Sequence, residues 1–384
     1  MRHLSAPVIL TQPVGRPAPL SEGTVQAVLA HYDLGVLRRI IPEPGGTANA
    51  NVAVETSQGV FYLRRRARHY ATPACIAHDQ AFRLHLAARG LPVAPPLPSR
   101  QGRPVVEFQG DCYEVTRGRA GGPPDLEDPL CLAAAGGLLG RLHRAAADFR
   151  PPAEKGWDRF DKPAAALALT EHLQALHPTP AQAEALATLH RGCTFLLRAF
   201  PDERYSTLPA GTIHGDYHPA NLKCQGPTVT GLFDFDMACR QPRVLDVADG
   251  LLYFGLVREE AFDGRSMATL TRGGRLEPER MRLFAEGYGE TVRLTPEEVR
   301  AVPWAMLARW IYSRLAGLRK VPREEWLPYA TTDVAGPAEW LMANAGAVEE
   351  LLRASCPVTG SLPPSPSPSL SAAEREGEGG GGDG

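Results

Sequence analysis

Between Thr212 and Asp236 the chain reads TIHGDYHPANLKCQGPTVTGLFDFD, and no other stretch restricts its fold as strongly. Two apolar-alternating runs, NLKC and TVTGLFDF, flank the turn-forming QGP, which is the pattern of a β-hairpin. Such a hairpin sets Asn221 just before its first strand and Asp234 at the end of its second, so the two become neighbours in space. His214, Gly215 and Asp216 fall in the loop leading in. Taken singly, these residues are the polar rim of a turn. At this spacing they bring two carboxylates and an amide to one place.

The chain on either side divides in two. Ser21 caps a helix that carries Val25, Val28, Leu29 and Tyr32 on one face. LGVLRRII, NVAVET and GVFYLRRR follow as strands, joined by PEPGGTANA and then SQG. Thr72-Pro73 opens a helix that stops at Gly90, and RPVVEF and CYEVTR form a further hairpin across QGD. Residues 20–117 are therefore expected to be a small mixed lobe, an antiparallel sheet with one inserted helix. From Asp128-Pro129, where Leu132, Ala135, Leu139 and Leu142 share a face, helical periodicity dominates to about Arg353. Residues 118–355 are expected to be a larger, mostly helical lobe. A length of 384 residues allows this, because one core seldom grows past roughly 250–300 residues. Residues 1–19 are expected to be a flexible N-terminus. Residues 356–384, Pro/Ser-rich and then Gly-rich, have little to bury and are expected to be a disordered tail. The fold class is α+β, in two lobes.

Composition removes several functions. A formal net charge of -2 gives no overall basic field for nucleic acid or an anionic membrane. The longest apolar run, LCLAAAGGLLG, is too short to span a bilayer, and the first 20 residues do not form a secretory signal. Seven cysteines without a Cys-x-x-Cys pair suggest neither a disulfide framework nor zinc, so the expected compartment is the cytoplasm.

The spacing His-x-Asp-x-x-x-x-Asn, then a hairpin, then Asp-Phe-x suits phosphoryl transfer. That reaction needs one carboxylate to orient and deprotonate a hydroxyl, and an amide oxygen and a second carboxylate to hold magnesium against phosphates. Protein kinases use His-Arg-Asp-x-x-x-x-Asn and Asp-Phe-Gly in these roles. Here Gly215 replaces the Arg and Asp236 the Gly. At these residues the chain resembles the aminoglycoside phosphotransferase family, which includes choline and homoserine kinases. Its signature is His-Gly-Asp-x-x-x-x-Asn followed by Asp-Phe-Asp/Glu, with an Asp at the start of the next helix, as in RVLDVADGLLYF. The resemblance implies a bilobal protein-kinase-like fold, with ATP and Mg2+ in the cleft and γ-phosphoryl transfer to the hydroxyl of a small molecule. It makes Asp216 the catalytic base, Asn221 and Asp234 magnesium ligands, Asp236 an assistant to the metal, and His214 a brace for the loop. Asp246 is expected only to cap the helix starting near Val247, and His218 to be an ordinary loop histidine.

The nucleotide side is less regular. No Walker-type lysine motif occurs, and the four lysines, Lys155, Lys162, Lys223 and Lys320, all lie outside residues 20–117. The cation expected on the third strand is Arg64, directly after the apolar run of VFYLRRR. Strand alternation sets Arg64 and Arg66 on one face and Arg65 on the other. By the family's spacing the partner carboxylate is Asp79, seven residues before Leu86. Gly45 and Gly46 in PGGTANANV are expected to cover the phosphates with backbone N–H groups. Tyr113 and Val115 in YEVTR fall where backbone groups would meet adenine. Among acceptors, homoserine or a similar amino alcohol comes first. An aminoglycoside is disfavoured by the Pro/Ser/Gly tail, and choline would need Trp304, Trp310 and Tyr312 to box its ammonium. The rivals are a protein Ser/Thr kinase, disfavoured because no Ala-Pro-Glu closes an activation loop, and a non-catalytic nucleotide-binding module. The sequence does not indicate an oligomeric state.

Overall fold

The computed structural model describes residues 18–42, 49–258 and 273–358. Gly45 and Gly46 lie outside the described residues, as do residues 1–17 and 359–384. Ser21 caps α1 (Glu22–Leu29) by accepting from Thr24 N. β1 (Leu37–Pro42), β2 (Ala50–Thr56), β3 (Gly59–Arg65), β4 (Val106–Phe108) and β5 (Asp111–Arg117) form an antiparallel sheet in the order β1-β2-β3-β5-β4. Alternate residues of these strands (Val52, Val54, Phe61, Leu63, Tyr113 and Val115) join Val25 and Val28 of α1 in one apolar cluster.

α2 (Pro73–Ala88) is inserted between β3 and β4, capped by Thr72 with Pro73 in its first turn. By chain position it belongs to the small lobe, yet its apolar face does not pack there. Phe82 and Leu86, both fully buried, join the second and larger apolar cluster. Phe82 packs 4.9 Å from Phe149 and 5.9 Å from Phe235, ring centre to ring centre.

That larger cluster is built by α3 (Pro129–Ala146), α4 (Pro163–Gln174), α5 (Pro180–Ala199), α6 (Asp202–Ser206), α7 (Val244–Gly255), α8 (Pro278–Gly289), α9 (Pro296–Ala316), α10 (Trp326–Thr331) and α11 (Ala335–Ser355). α3 and α8 touch backbone to backbone; a Cβ on Gly136 would stand 1.9 Å from Phe284 O. β6 (Ala210–Ile213) pairs with β9 (Cys239–Pro242), and the hairpin of β7 (Leu222–Gln225) and β8 (Thr228–Leu232) lies between them in sequence.

One expectation changes here. The tail does not begin at Cys356: that residue is buried, its thiol donates to Ala285 O at 3.2 Å, and Pro357 O accepts from Leu294 N. Trp310 is a core residue whose Nε1 donates to Val334 O, and Trp304 packs on Phe195, so helical spacing here marks packing and not an ammonium box. Among the described residues no helix is long and apolar enough to cross a membrane.

Candidate active site

The loop after β6 is held from beneath by a helix. Asp246, inside α7 and fully buried, accepts from His214 N and Gly215 N at 2.7 Å each, one N–H per carboxylate oxygen. His143 Nε2 of α3 lies 3.1 Å from the same carboxylate. Burial alone would raise the Asp246 pKa, but the His143 hydrogen bond and charge and the His214 contacts hold it below the ordinary value. Asp246 is thus the anchor of the loop and not a helix cap, since α7 starts at Val244 with Arg243 as its N-cap. Gly215 adopts φ +80, and a Cβ there would stand 2.5 Å from Met237 O. No side chain fits.

His214 Nε2 lies 2.8 Å from Phe233 O. On the other side Asn221 O accepts from Phe233 N at 2.9 Å. With both backbone groups of Phe233 held, the chain turns at Asp234 into the left-handed region, φ 64 and ψ 68. An aspartate tolerates this conformation better than a bulky residue, at a cost of about 1 kcal/mol or more. Asn221 Nδ2 donates to Asp216 O at 2.8 Å and contacts Asp216 Oδ2 at 3.4 Å. The structure therefore brings Asp216, Asn221 and Asp234 together through backbone contacts that the hairpin provides.

Asp216 keeps a third of its side chain exposed. Burial would raise its pKa, but the charge and hydrogen bond of His218, then His214 and Arg309, hold it well below the ordinary value. His218 is not an ordinary loop histidine. It is buried, with Nε2 3.3 Å from Asp216 Oδ2, and Asp216 raises its pKa against the downward push of burial. Arg309 of α9 donates to Gly215 O at 3.1 Å and, through two nitrogens, to Asp249. Neither Arg309 nor Asp249 carries a local sequence signal, because each acts from a separate helix. The second histidine of His-Gly-Asp-Tyr-His was visible, but not its direction.

On the nucleotide side the expected pairs are rearranged. Arg64 does not pair with Asp79. Its guanidinium spans Asp234 Oδ1 at 3.1 Å and Asp236 Oδ1 at 3.3 Å, with Nε donating to Asn51 Oδ1. Asp79 instead pairs with Arg66 and with Lys155. The reason is reach along one strand face: Arg66, two residues on, stands nearer α2. Arg66 is buried and also contacts Glu114 Oε2 at 3.2 Å and Asp236 Oδ1 at 3.3 Å. Arg65 points the other way, to Ala18 O and Asp111.

Asp236 is engaged on both oxygens: Oδ2 accepts from Asn49 at 2.5 Å and Oδ1 meets both arginines. Asp234 differs. Its Oδ1 is sealed from solvent and makes no hydrogen bond among the described residues, only the ion pair to Arg64. Tyr113 and Val115 do not line a free hinge. They sit within β5, opposite Arg65 and Leu63, and Val115 O accepts from Leu97 N at 2.7 Å. The connection between lobes comes only after Arg117, where β5 ends.

Comparison with known proteins agrees with this geometry. The profile of the phosphotransferase enzyme family matches residues 39–284. A homoserine kinase of Beijerinckia indica subsp. indica is 30% identical over 328 residues, covering 80% of this chain and 87% of the relative. One from Rhodopseudomonas palustris is 29% identical over 305 residues, covering 77% and 84%. An aminoglycoside phosphotransferase structure from Alicyclobacillus acidocaldarius matches at TM-score 0.65 and 21% identity, covering 88% of this chain and 98% of that one. The microcompartment-associated aminopropanol kinase matches at TM-score 0.56 and 19% identity, covering 86% and 99%. These structural likenesses establish the kinase-like, two-lobed α+β fold. With its profile match spanning most of the chain and its loop, hairpin and carboxylates brought together, this chain belongs to the phosphotransferase enzyme family and is a small-molecule kinase acting on a hydroxyl group.

Proposed function

We propose that the protein transfers the γ-phosphoryl group of ATP to the hydroxyl of homoserine or a closely similar amino alcohol. The observation that carries this is the convergence of Asp216, Asn221 and Asp234, in a chain whose curated relatives are homoserine kinases. Asp216, ionised near neutral pH and a third exposed, is placed to orient the acceptor hydroxyl and take its proton. Phosphate charge meets Arg64, whose guanidinium is held at the cleft by Asn51, Asp234 and Asp236.

Magnesium fits the residues present. Over a third of the Asp234 side chain is exposed, its Oδ1 faces the Arg64 guanidinium, and the backbone of Asn221 holds Phe233, the residue before it. Among the described residues no group of three or more His, Cys, Asp or Glu forms a closed metal cage. Magnesium keeps waters and substrate phosphates as ligands and takes only one or two protein groups. Asn221 and Asp234 would hold it, and it would supply charge neutralisation on the phosphates. In this reading residues 20–117 bind the nucleotide, residues 118–355 carry catalysis and the acceptor, and the protein works in the cytoplasm without nucleic acid or membrane.

The test is ADP release coupled to a panel of homoserine, other amino alcohols, choline, sugars and aminoglycosides, with Mg2+ present. Homoserine should give the highest kcat/KM. Turnover of an aminoglycoside or choline alone would overturn the acceptor while leaving the reaction class intact.

A further inference from the structure

Residues 153–158, between α3 and α4, run along the seam between α2 and the Asp-Phe-Asp segment. His78 Nδ1 of α2 lies 3.0 Å from Ala153 O. Gln241 Nε2 of β9 donates to Trp157 O and Asp158 O at 3.1 Å each. At the middle of this strap the Lys155 side chain is 0% exposed. Its Nζ is 2.5 Å from Asp79 Oδ1, donates to Asp236 O at 2.7 Å, and lies 4.5 Å from the centre of the Trp157 ring. Gly156, at φ +64, provides the bend that follows it.

An ammonium removed from water is tolerated only when its charge and donors are matched. Here the matching groups come from two lobes: a carboxylate on the helix inserted in the small lobe, and a backbone carbonyl two residues past Asp234. We propose that Lys155 is a positioning residue for nucleotide binding, a latch from the large lobe that fixes α2 and thereby sets Arg66 and Arg64. The contacts run without a gap from Lys155 to Asp79, to Arg66, to Asp236, to Arg64 and to Asp234. Since Lys155 and Arg66 both pair with Asp79, Arg64 is left to Asp234 and Asp236. A chain with no lysine in residues 20–117 thus uses one from the opposite lobe to order its phosphate-side arginines.

The inference rests on ATP being the donor, and its test separates the two. KM for ATP, KM for the acceptor, kcat and Tm are measured for wild type, K155M, K155R, D79N and D79N/K155M. K155M should raise KM for ATP on the order of tenfold or more, as displacement of a supporting contact does, with KM for the acceptor nearly unchanged. K155R should recover part of the loss. D79N/K155M should lose little beyond D79N, because both substitutions break one link. KM does not depend on the folded fraction, so a lower Tm masks nothing. An unchanged KM for ATP in K155M, or losses that multiply in full in the double variant, would overturn the latch. If K155M gives no soluble protein, D79N decides alone, and a wild-type KM for ATP there overturns it. Wild type that does not use ATP would fail the nucleotide reading instead.

Discussion

The acceptor side and the nucleotide side of the cleft are built in opposite ways. Around Asp216 the parts are local: β6, the loop and the β7–β8 hairpin hold Asp216, Asn221 and Asp234 through backbone contacts at Phe233 and one anchor, Asp246. Around Arg64 the parts are distant: β3, α2, β5, the strap and the Asp-Phe-Asp segment each give one or two side chains to an ionic chain. The first design is fixed by turn geometry and tolerates side-chain changes beyond its site. The second exists only when both lobes are folded and docked, so its geometry depends on α2, which packs with the large lobe's core.

The largest effect should fall on the local side. D216N keeps the loop, the Asn221 contact to the Asp216 carbonyl and the nucleotide side, but removes the base. Turnover should fall by about two to four orders of magnitude with ATP binding nearly unchanged, read by single-turnover kinetics and ATP titration. Near-normal turnover would remove Asp216 from the chemistry. D234A should come next. It deletes the charged oxygen ligand, so the magnesium needed for half-maximal activity should rise, and more than in N221A, which removes a neutral one. An unchanged magnesium titration for D234A would move the metal elsewhere in the cleft.

The nucleotide side should respond in proportion to each arginine's place in the chain. R64A should weaken ATP binding and slow turnover together, by roughly tenfold or more, with partial recovery in R64K, where charge returns without the planar fork. R65A, on the other face, should change little. Equal small losses in both would make these arginines a solvated strand edge and leave phosphate binding to backbone amides and the metal.

This contrast also explains what the sequence could reveal. The hairpin, the two capped helices at Ser21 and Thr72, and the strands from Leu37 to Arg65 follow local rules of period and turn chemistry, so their places were legible. His214, Asp216, Asn221 and Asp234 were legible for the same reason, since fixed offsets in one hairpin translate directly into neighbours. The Arg64–Asp79 pair was not, because strand alternation presents Arg64 and Arg66 equally and only the position of α2 selects between them. The partners of Asp236 were hidden in the same way: three residues from the small lobe, Asn49, Arg64 and Arg66, engage its oxygens. Lys155, Arg309 and Glu114 leave no local signature, since each becomes meaningful only after distant elements pack.

Smaller, and readable as stability, is the pH dependence of Glu114. Burial would raise its pKa, but Arg83, Arg66 and Arg64 hold it down to about 2, below its ordinary 4.5. A carboxylate whose pKa is depressed on folding stabilises fully above its unfolded value and loses that stabilisation as pH falls through the folded one. The contribution, on the order of 3 kcal/mol at neutral pH, should fade between 4.5 and 2. Tm measured against pH should show wild type and E114Q converging through that window. A gap that stays constant would contradict the ionic account of this side.

The most direct measurement follows phosphorus itself. Wild type is incubated with ATP, Mg2+ and homoserine and observed by 31P NMR, with D216N as control. The γ-phosphoryl signal should be replaced by a phosphate monoester in amounts equal to the ADP formed, and D216N should leave ATP nearly intact. Inorganic phosphate alone, an untouched γ signal across the acceptor panel, or equal monoester yield from D216N would contradict phosphoryl transfer directed by Asp216.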